Sequence, residues 1–163
     1  MKKLNNLSEI YAQYDTFIID LWGVMHNGIK LNPKSIEVIK KLKYYKKKIV
    51  FLSNAPRPSE EVKKFLNDIN MKEEYLKNIV TSGEAAKESL KSNKFGKYFF
   101  HLGPDRDASL FSSVSDKKTS LEKCEFILCT GLFNDKENDL NYYRELLKNY
   151  IFKKLICTNP DLT

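Results

Sequence analysis

Two polar side chains, Asp20 and Ser53, stand where apolar runs of the chain end, at residues 17–19 and 49–52. A carboxylate in such a place could bind Mg²⁺, which takes hard oxygen ligands, and could attack a phosphorus atom. A serine hydroxyl could donate a hydrogen bond to a phosphoryl oxygen. Alternatively, each side chain could simply cap the end of a strand, Asp20 by accepting hydrogen bonds from backbone N–H groups of loop 23–28.

The segments around Asp20 and Ser53 alternate between strand and helix patterns. Residues 17–21 and 49–52 are short apolar runs, typical of parallel strands that are buried on both faces. Between them, Asn32 and Pro33 are typical of a helix N-cap followed by the first helical residue. Strand, helix and strand in this order predict a parallel pair with a right-handed crossover. Asp20 and Ser53 would then face one crevice at the carboxyl ends of the strands, where open α/β sheets bind ligands.

The same alternation continues to the end of the chain. Ser59 is predicted to begin a helix, and residues 81–84 fit a capping box at the start of another. The predicted strands of this later part are 79–80, 98–102, 126–129 and 155–158, with a helix at 140–150 before the last. The polar, serine-rich stretch 105–123 is predicted to be loop, and the fold class is α/β.

Composition and charge narrow the functional classes. The chain is 42% hydrophobic and 30% charged, as expected of a soluble globular protein, and it carries a net charge of +7. The positive charge is mostly lysine spread over the whole chain, which favours a solvated surface over a nucleic-acid groove. No apolar run reaches the ~18 residues of a membrane span, and the N-terminus does not resemble a signal peptide. We therefore expect a cytoplasmic protein.

The three cysteines, Cys124, Cys129 and Cys157, do not suggest a structural framework. Their number is odd and no Cys-x-x-Cys pair occurs, so the sequence does not indicate a disulfide framework or a zinc site. We predict that all three are structural, and that Cys129 and Cys157 in particular behave as small buried hydrophobic residues.

Several motifs together resemble one family. Residues 17–28, Phe-Ile-Ile-Asp-Leu-Trp-Gly-Val-Met-His-Asn-Gly, resemble the first signature of the haloacid dehalogenase (HAD) superfamily. Residues 51–55, Phe-Leu-Ser-Asn-Ala, resemble the second. Gly23-Val24 with Gly28, and residues 81–85 and 158–161, are similar to the class IIA, NagD-like branch.

The resemblance implies a fold and a division of the chain. It implies a Rossmann-like HAD core with a parallel sheet, whose N-terminal part is residues 1–81, and an inserted α/β cap domain, of which residues 82–163 form a part. It also implies a lysine and an acidic magnesium-binding motif after the cap. Because the 163 residues do not contain these motifs, the chain is expected to be the N-terminal portion of the enzyme, with core and cap both incomplete at the C-terminus.

The resemblance also assigns roles to residues. Asp20 is implied as nucleophile and magnesium ligand, with the backbone carbonyl of Trp22 as a second ligand. Ser53, Asn54 and Gly23 are implied to hold the phosphoryl group. The expected function is a Mg²⁺-dependent phosphatase of small phosphorylated metabolites that works through an aspartyl-phosphate intermediate, with a homo-oligomer possible because an incomplete core exposes sheet edges.

One departure from the family pattern leaves a second hypothesis about the function open. Trp22 occupies the place of the usual acid–base aspartate, and an indole has no useful acidity near neutral pH. Loss of a positioned acid costs about 10²–10⁴-fold in rate. His26 is then a possible substrate contact and proton carrier, although a loop hydrogen bonder is the simpler interpretation, and His101 is predicted to be structural. The alternative function is a catalytically impaired HAD-fold binding or interaction protein.

Overall fold

The computed structural model describes residues 3–159 and confirms the α/β class. The chain divides into two compact units. The first consists of residues up to Ser53 together with Glu60–Val80, and the second of Asn54–Ser59 together with residues from Thr81 onward. That these units correspond to a core and a cap stays a prediction. Over residues 3–159, no helix is both long and apolar enough to cross a membrane.

The first unit contains a sheet of three hydrogen-bonded strands in the order β1-β2-β3. β1 and β2 run parallel, with Phe17 opposite Ile49 and Asp20 opposite Leu52. The bounds are β1 Thr16–Asp20, β2 Lys48–Ser53 and β3 Ile79–Thr81, with helices α1 Pro33–Tyr44 and α2 Ser59–Asp68 and short 3₁₀ turns at Leu7–Glu9, Tyr11–Gln13 and Glu73–Tyr75.

Helix α1 begins where the sequence predicts. The side chain of Asn32 accepts a hydrogen bond from the backbone N–H of Lys34 at 3.1 Å, and Pro33 is the first helical residue. At the other end, the Tyr45 N–H donates to the Lys41 carbonyl and the Lys46 N–H donates to the Lys43 carbonyl. The Asn32 cap fixes the end of the loop that follows Asp20, and it therefore helps to position the loop.

One face of the first sheet is exposed, so the prediction that β1 is buried on both faces is wrong. Ile18 is 69% exposed, Leu52 49% and Val80 48%, whereas Phe51, which alternates to the other face, is fully buried. The burial pattern of β1 alternates accordingly. An apolar run predicts a strand but not which faces are covered, and the described helices of this unit cover only one face.

The second unit has a parallel sheet with hydrophobic side chains packed on both faces of its first two strands. Its strands lie in the order β4-β5-β6, and its faces carry two separate hydrophobic clusters. The bounds are β4 Phe99–Leu102, β5 Phe126–Cys129 and β6 Lys154–Cys157, with helices α3 Ser82–Lys91 and α4 Leu140–Leu147. One cluster comprises Ala86, Leu90, Phe99, Leu110, Phe111, Val114, Phe126 and Leu128, and the other Leu102, Leu121, Cys124, Ile127 and Tyr143.

The segment predicted as loop after β4 contributes to this core. Asp105–Lys117 forms 3₁₀ turns, interrupted at Phe111 and Val114, where the backbone leaves the helical region. Phe111 is buried and packs on Phe99 with ring centroids 5.4 Å apart. Asp107, predicted to lie in a surface loop, is only 3% exposed. The segment is rich in serine and charged residues, so the burial of its few apolar side chains could not be predicted from its composition.

The junction into α3 depends on close contacts with one arginine. The Thr81 hydroxyl accepts a hydrogen bond from the Glu84 N–H at 2.9 Å and donates to the Arg57 carbonyl at 2.7 Å. The predicted capping box is thus half formed, because the Glu84 carboxylate accepts from the Ser59 N–H instead. A Cβ at Gly83 would lie 2.4 Å from the backbone nitrogen and oxygen of Arg57, so this position requires glycine.

Only one of the three cysteines is fully buried. Cys124 is buried, whereas Cys129, predicted to be buried, is only partly buried at the end of β5. Cys157 is exposed, so its predicted burial is wrong. It ends β6, which lies at the edge of the second sheet and has only one neighbouring strand in the described part of the chain.

Candidate active site

Asp20 and Ser53 end two adjacent parallel strands. Asp20 is the last residue of β1 and is exposed, and its Oδ1 accepts a hydrogen bond from the Leu21 N–H at 2.7 Å. Ser53 is the last residue of β2, one position beyond the partner of Asp20, and is 7% exposed. Alternation along β2 places Ser53 on the face opposite Leu52, so the hydroxyl and the carboxylate can share a ligand only beyond the strand ends. Ligands of parallel sheets bind in that region.

The loop after Asp20 is a tight hydrogen-bonded turn. The N–H groups of Met25 and His26 donate to the Leu21 carbonyl at 2.8 and 3.2 Å. Gly23 has a φ of +75°, and its N–H donates to the His26 carbonyl at 2.8 Å. The prediction that Gly23 holds a phosphoryl group stays a prediction, and it requires this N–H to be shared with the ligand.

Trp22 is the second residue of this turn and is exposed. Its side chain is 65% exposed, and the backbone bridge between Trp22 and His26 uses the carbonyls of Leu21 and His26 rather than that of Trp22. The carbonyl of Trp22 accepts none of these turn hydrogen bonds, so this oxygen and the carboxylate of Asp20 are candidate ligands for a cation.

Both groups offer oxygen atoms, which are the ligands that Mg²⁺ prefers. Mg²⁺ is commonly held by one or two carboxylates together with waters and substrate phosphate, rather than by a cage made only of protein ligands. Among residues 3–159, no three or more His, Cys, Asp or Glu side chains cluster closely enough to hold a metal ion. That the Asp20 carboxylate and the Trp22 carbonyl hold Mg²⁺ stays a prediction.

His26 is engaged within the loop. It is 7% exposed, its Nδ1 accepts a hydrogen bond from the Gly28 N–H at 3.0 Å, and its ring lies edge-on to Phe65 at 5.2 Å. Burial lowers the pKa of His26, an effect opposed by the negative charge of Asp20. The geometry gives His26 the role of a neutral loop hydrogen bonder, and its contact with substrate stays a prediction.

One further predicted site residue, Asn54, is less informative. Asn54 belongs to the second unit, where its carbonyl accepts a hydrogen bond from the Ser82 hydroxyl at 2.8 Å, and its part in holding phosphate stays a prediction. Asp161, at the end of the last motif, lies outside the described residues.

The sequence does not indicate an ion pair in the second unit between a buried carboxylate and a partly exposed arginine. The Asp107 carboxylate, whose side chain is 4% exposed, lies 3.9 Å from the Nε of Arg57. Arg57 thereby joins segment 54–59 to the segment that follows β4. No spacing or periodicity in the sequence signals a pair so far apart along the chain.

His101 lies in the strand predicted at 98–102 and is buried on β4. It is 4% exposed, and its Nε2 lies 2.9 Å from the Thr130 hydroxyl oxygen. Its ring packs on Phe111 with centroids 4.7 Å apart. Burial in this apolar setting, with a smaller contribution from Lys118, lowers the pKa of His101 from 6.5 to about 4.

The pKa of His101 predicts a loss of stability in acid. Above pH 6.5 the imidazole is neutral in both states, but below it the unfolded chain takes up a proton that folded His101 resists. The free energy of unfolding should therefore fall as the pH drops from 6.5 to about 4. Urea unfolding of the wild type and of His101→Gln at several pH values tests this. The wild type should lose more stability than the variant on acidification, and equal losses would contradict the prediction.

Sequence and structure comparisons identify relatives of the chain. The family model for haloacid dehalogenase-like hydrolases matches residues 17–115. A hydrolase of the haloacid dehalogenase-like family from Brucella suis is 26% identical, with a TM-score of 0.84 over 98% of this chain and 61% of its own. The 4-nitrophenylphosphatase of Thermotoga maritima is 25% identical, with a TM-score of 0.65 over 94% of this chain and 57% of its own.

More distant structures share the fold. A glycerol phosphate phosphatase from Mycobacterium tuberculosis, solved in complex with magnesium, is 18% identical with a TM-score of 0.63 over 93% of this chain and 46% of its own. The chain thus spans 61% or less of the length of these relatives. No curated protein sequence matches it significantly. The family match covers more than half of the chain and includes the segments that end in Asp20 and Ser53, and the chain belongs to the haloacid dehalogenase-like hydrolase family.

Proposed function

We propose that this hydrolase is a Mg²⁺-dependent phosphatase of small phosphorylated metabolites, with Asp20 as its nucleophile. The observation that carries the proposal is a solvent-exposed carboxylate at the end of β1, beside the strand that ends in Ser53. Asp20 is neither buried in hydrocarbon nor held by an ion pair among the described residues, so it is accessible to a substrate. The name of the Thermotoga maritima relative, 4-nitrophenylphosphatase, supports this class of reaction.

The proposed reaction has two displacements at phosphorus. A carboxylate oxygen of Asp20 attacks the phosphoryl group, and the bond from phosphorus to the leaving oxygen breaks. A water molecule then attacks the aspartyl-phosphate at phosphorus, and Asp20 and inorganic phosphate are released. Asp20 and the Trp22 carbonyl would hold Mg²⁺, which neutralises phosphoryl charge when it is bound. The Ser53 hydroxyl would donate to a phosphoryl oxygen as negative charge develops.

The exposed Trp22 bears on which substrates are turned over quickly. Its indole cannot protonate a leaving group, and the Nδ1 of the nearby His26 already accepts the Gly28 N–H. Esters whose leaving group departs without protonation should therefore react best. For this reason p-nitrophenyl phosphate is the appropriate first substrate.

Magnesium-dependent turnover tests the proposal directly. The full-length gene product should hydrolyse p-nitrophenyl phosphate when Mg²⁺ is supplied, should stop when a chelator removes the ion, and should recover when the ion is restored. The same protein without turnover at any Mg²⁺ concentration would contradict the proposal.

A binding protein is the second candidate, and the exposed indole at the acid–base position favours it. Trp22 offers a flat apolar surface beside a carboxylate, which suits recognition of a ligand better than proton transfer. Calorimetry separates the candidates. Binding of Mg²⁺ or phosphate without any hydrolysis would support this function, and turnover would exclude it.

Ser53→Ala should lower phosphatase turnover by about 10²-fold, because one donor to the developing phosphoryl charge is lost. Steady-state kinetics with p-nitrophenyl phosphate measures the effect. Ser53→Thr is the matched control, since it retains a hydroxyl at the same position and should keep most of the activity. If the alanine variant matched the wild type, Ser53 would have no part in phosphoryl binding.

A further inference from the structure

Two cysteines end neighbouring strands of the second sheet. Cys129 is the last residue of β5 and Cys157 the last residue of β6, and the two are direct partners in the parallel register. Partners in register project their side chains on the same face of a sheet. Both thiols therefore lie side by side at the carboxyl end of the sheet, although 27 residues separate them in the sequence.

The spacing suits a covalent link. Neighbouring strands lie about 4.7–4.9 Å apart, which falls within the range of about 4.4–6.8 Å between the Cα atoms of disulfide-bonded cysteines. The backbone around the pair is ordered by hydrogen bonds, because the N–H of Thr158 donates to the Cys129 carbonyl at 2.9 Å. Among the described strands, β6 has a neighbour on one side only.

The two thiols differ in accessibility. Cys157 is exposed, and its Sγ donates to the nearby Asn159 carbonyl at 3.1 Å. Cys129 is partly buried, with its Sγ 3.6 Å from the Gly131 carbonyl oxygen. Burial, together with the neighbouring Cys157, raises the pKa of Cys129 to about 11. A reagent from solvent consequently meets Cys157 first.

We propose that Cys129 and Cys157 form a reversible disulfide when the protein meets a hydroperoxide, and that this bond ties β6 to β5. The proposal is independent of the phosphatase reaction, because the pair lies in the second unit and Asp20 in the first.

The chemistry balances in two steps. The sulfur of Cys157, as its thiolate, attacks one oxygen of hydrogen peroxide and becomes a sulfenic acid, while the oxygen–oxygen bond breaks and the second oxygen leaves as hydroxide, which takes up a proton to give water. The sulfur of Cys129 then attacks the sulfenic sulfur, the sulfur–oxygen bond breaks, and a second water leaves. Two thiols are oxidised and one peroxide is reduced. A small dithiol reductant reverses the reaction.

The expected consequence is stabilisation of the second sheet. The bond would close a long loop that contains α4, and it would fasten a strand that is otherwise held from one side. Closing a loop of this length stabilises a folded domain chiefly by restricting its unfolded chain. We expect the midpoint of thermal unfolding to rise by roughly 5–10 °C on oxidation.

The test is oxidation of the reduced chain with hydrogen peroxide, followed by thiol counting in denaturant and peptide mapping by mass spectrometry. The chain contains three cysteines, so the free thiols should fall from three to one. A cross-linked peptide containing Cys129 and Cys157, lighter by two hydrogen atoms, should appear in monomeric protein and disappear after reduction.

Single variants provide the controls. Cys124→Ser, at a buried cysteine of the same unit, should retain both the cross-link and the rise in unfolding temperature. Cys157→Ser, at an exposed position where folding should be unaffected, should lose both. Wild-type protein that keeps three free thiols, forms only intermolecular dimers, or gains oxygen atoms without the cross-link would overturn the proposal.

Discussion

Asp20→Asn should abolish Mg²⁺-dependent hydrolysis of p-nitrophenyl phosphate, lowering turnover by about 10⁴-fold or more. The amide has nearly the shape of the carboxylate, but it is a poor nucleophile and carries no charge for the cation. The fold should be unaffected, because Asp20 is exposed and an asparagine oxygen can still accept the Leu21 N–H. Steady-state kinetics and thermal unfolding, measured on the same preparation, separate the two effects.

Asp15→Asn is the matched control for this variant. Asp15 precedes β1 at its opposite end, and its fully exposed side chain pairs with Lys47 at 3.3 Å. Such pairs contribute little to stability. This control should retain wild-type activity. Equal activity of Asp20→Asn and Asp15→Asn would show that the carboxylate at the end of β1 takes no part in the chemistry.

The largest expected effect on stability is that of Phe99→Ala, which should lower the free energy of unfolding by about 3–5 kcal/mol. Phe99 is fully buried in β4, with its ring centroid 5.4 Å from that of Phe111 and 6.0 Å from that of Phe126. Removing the ring would leave a cavity between a strand and the 3₁₀ segment that covers it. The surrounding side chains can fill this cavity only partly.

Urea unfolding followed by fluorescence or circular dichroism measures the change. Phe152→Ala is the control with the same chemistry at a surface position, since Phe152 is 78% exposed and should cost less than about 0.5 kcal/mol. A loss below about 1 kcal/mol in Phe99→Ala would mean that this core is loosely packed and would contradict the structure.

The helices and strands could be predicted well from the sequence where local signals are strong. The Asn32–Pro33 start of α1 depends on a cap within one turn, and it is formed as predicted. Residues 126–129 were predicted as a strand and form β5. In contrast, the exposure of Ile18 could not be predicted, because coverage of a strand depends on which distant elements pack on it.

The 3₁₀ segment after β4 is a second part of the fold that could not be predicted from the sequence. Its apolar residues, among them Leu110 and Phe111, are spaced irregularly among serines and charges, so no helical or strand period emerges. Their burial arises from packing on α3 and β4 and not from a local pattern. The tight approach of Gly83 to Arg57 is likewise a tertiary contact between segments that are distant in sequence.

The candidate site was partly predictable for a similar reason. Asp20 and Ser53 could be placed because both end apolar strands, and parallel strands deliver their carboxyl ends to one edge of a sheet. Two hydrogen bonds of the turn could not be predicted: the Gly23 N–H donates to the His26 carbonyl, and the Gly28 N–H donates to the His26 Nδ1. Such bonds follow from the backbone conformation of the turn. The sequence therefore predicts which residues surround the site better than it predicts which of their atoms are available.

The most direct test of the proposed reaction is to trap the phosphorylated enzyme. The full-length gene product would be mixed with radiolabelled phosphoryl donor and Mg²⁺, quenched in acid within the first turnovers, and digested for peptide mapping. We predict that the label is covalently bound, is released by hydroxylamine as expected of an acyl phosphate, and maps to the peptide containing Asp20. Turnover without covalent label, or a label on any other residue, would contradict the assignment of Asp20 as the nucleophile.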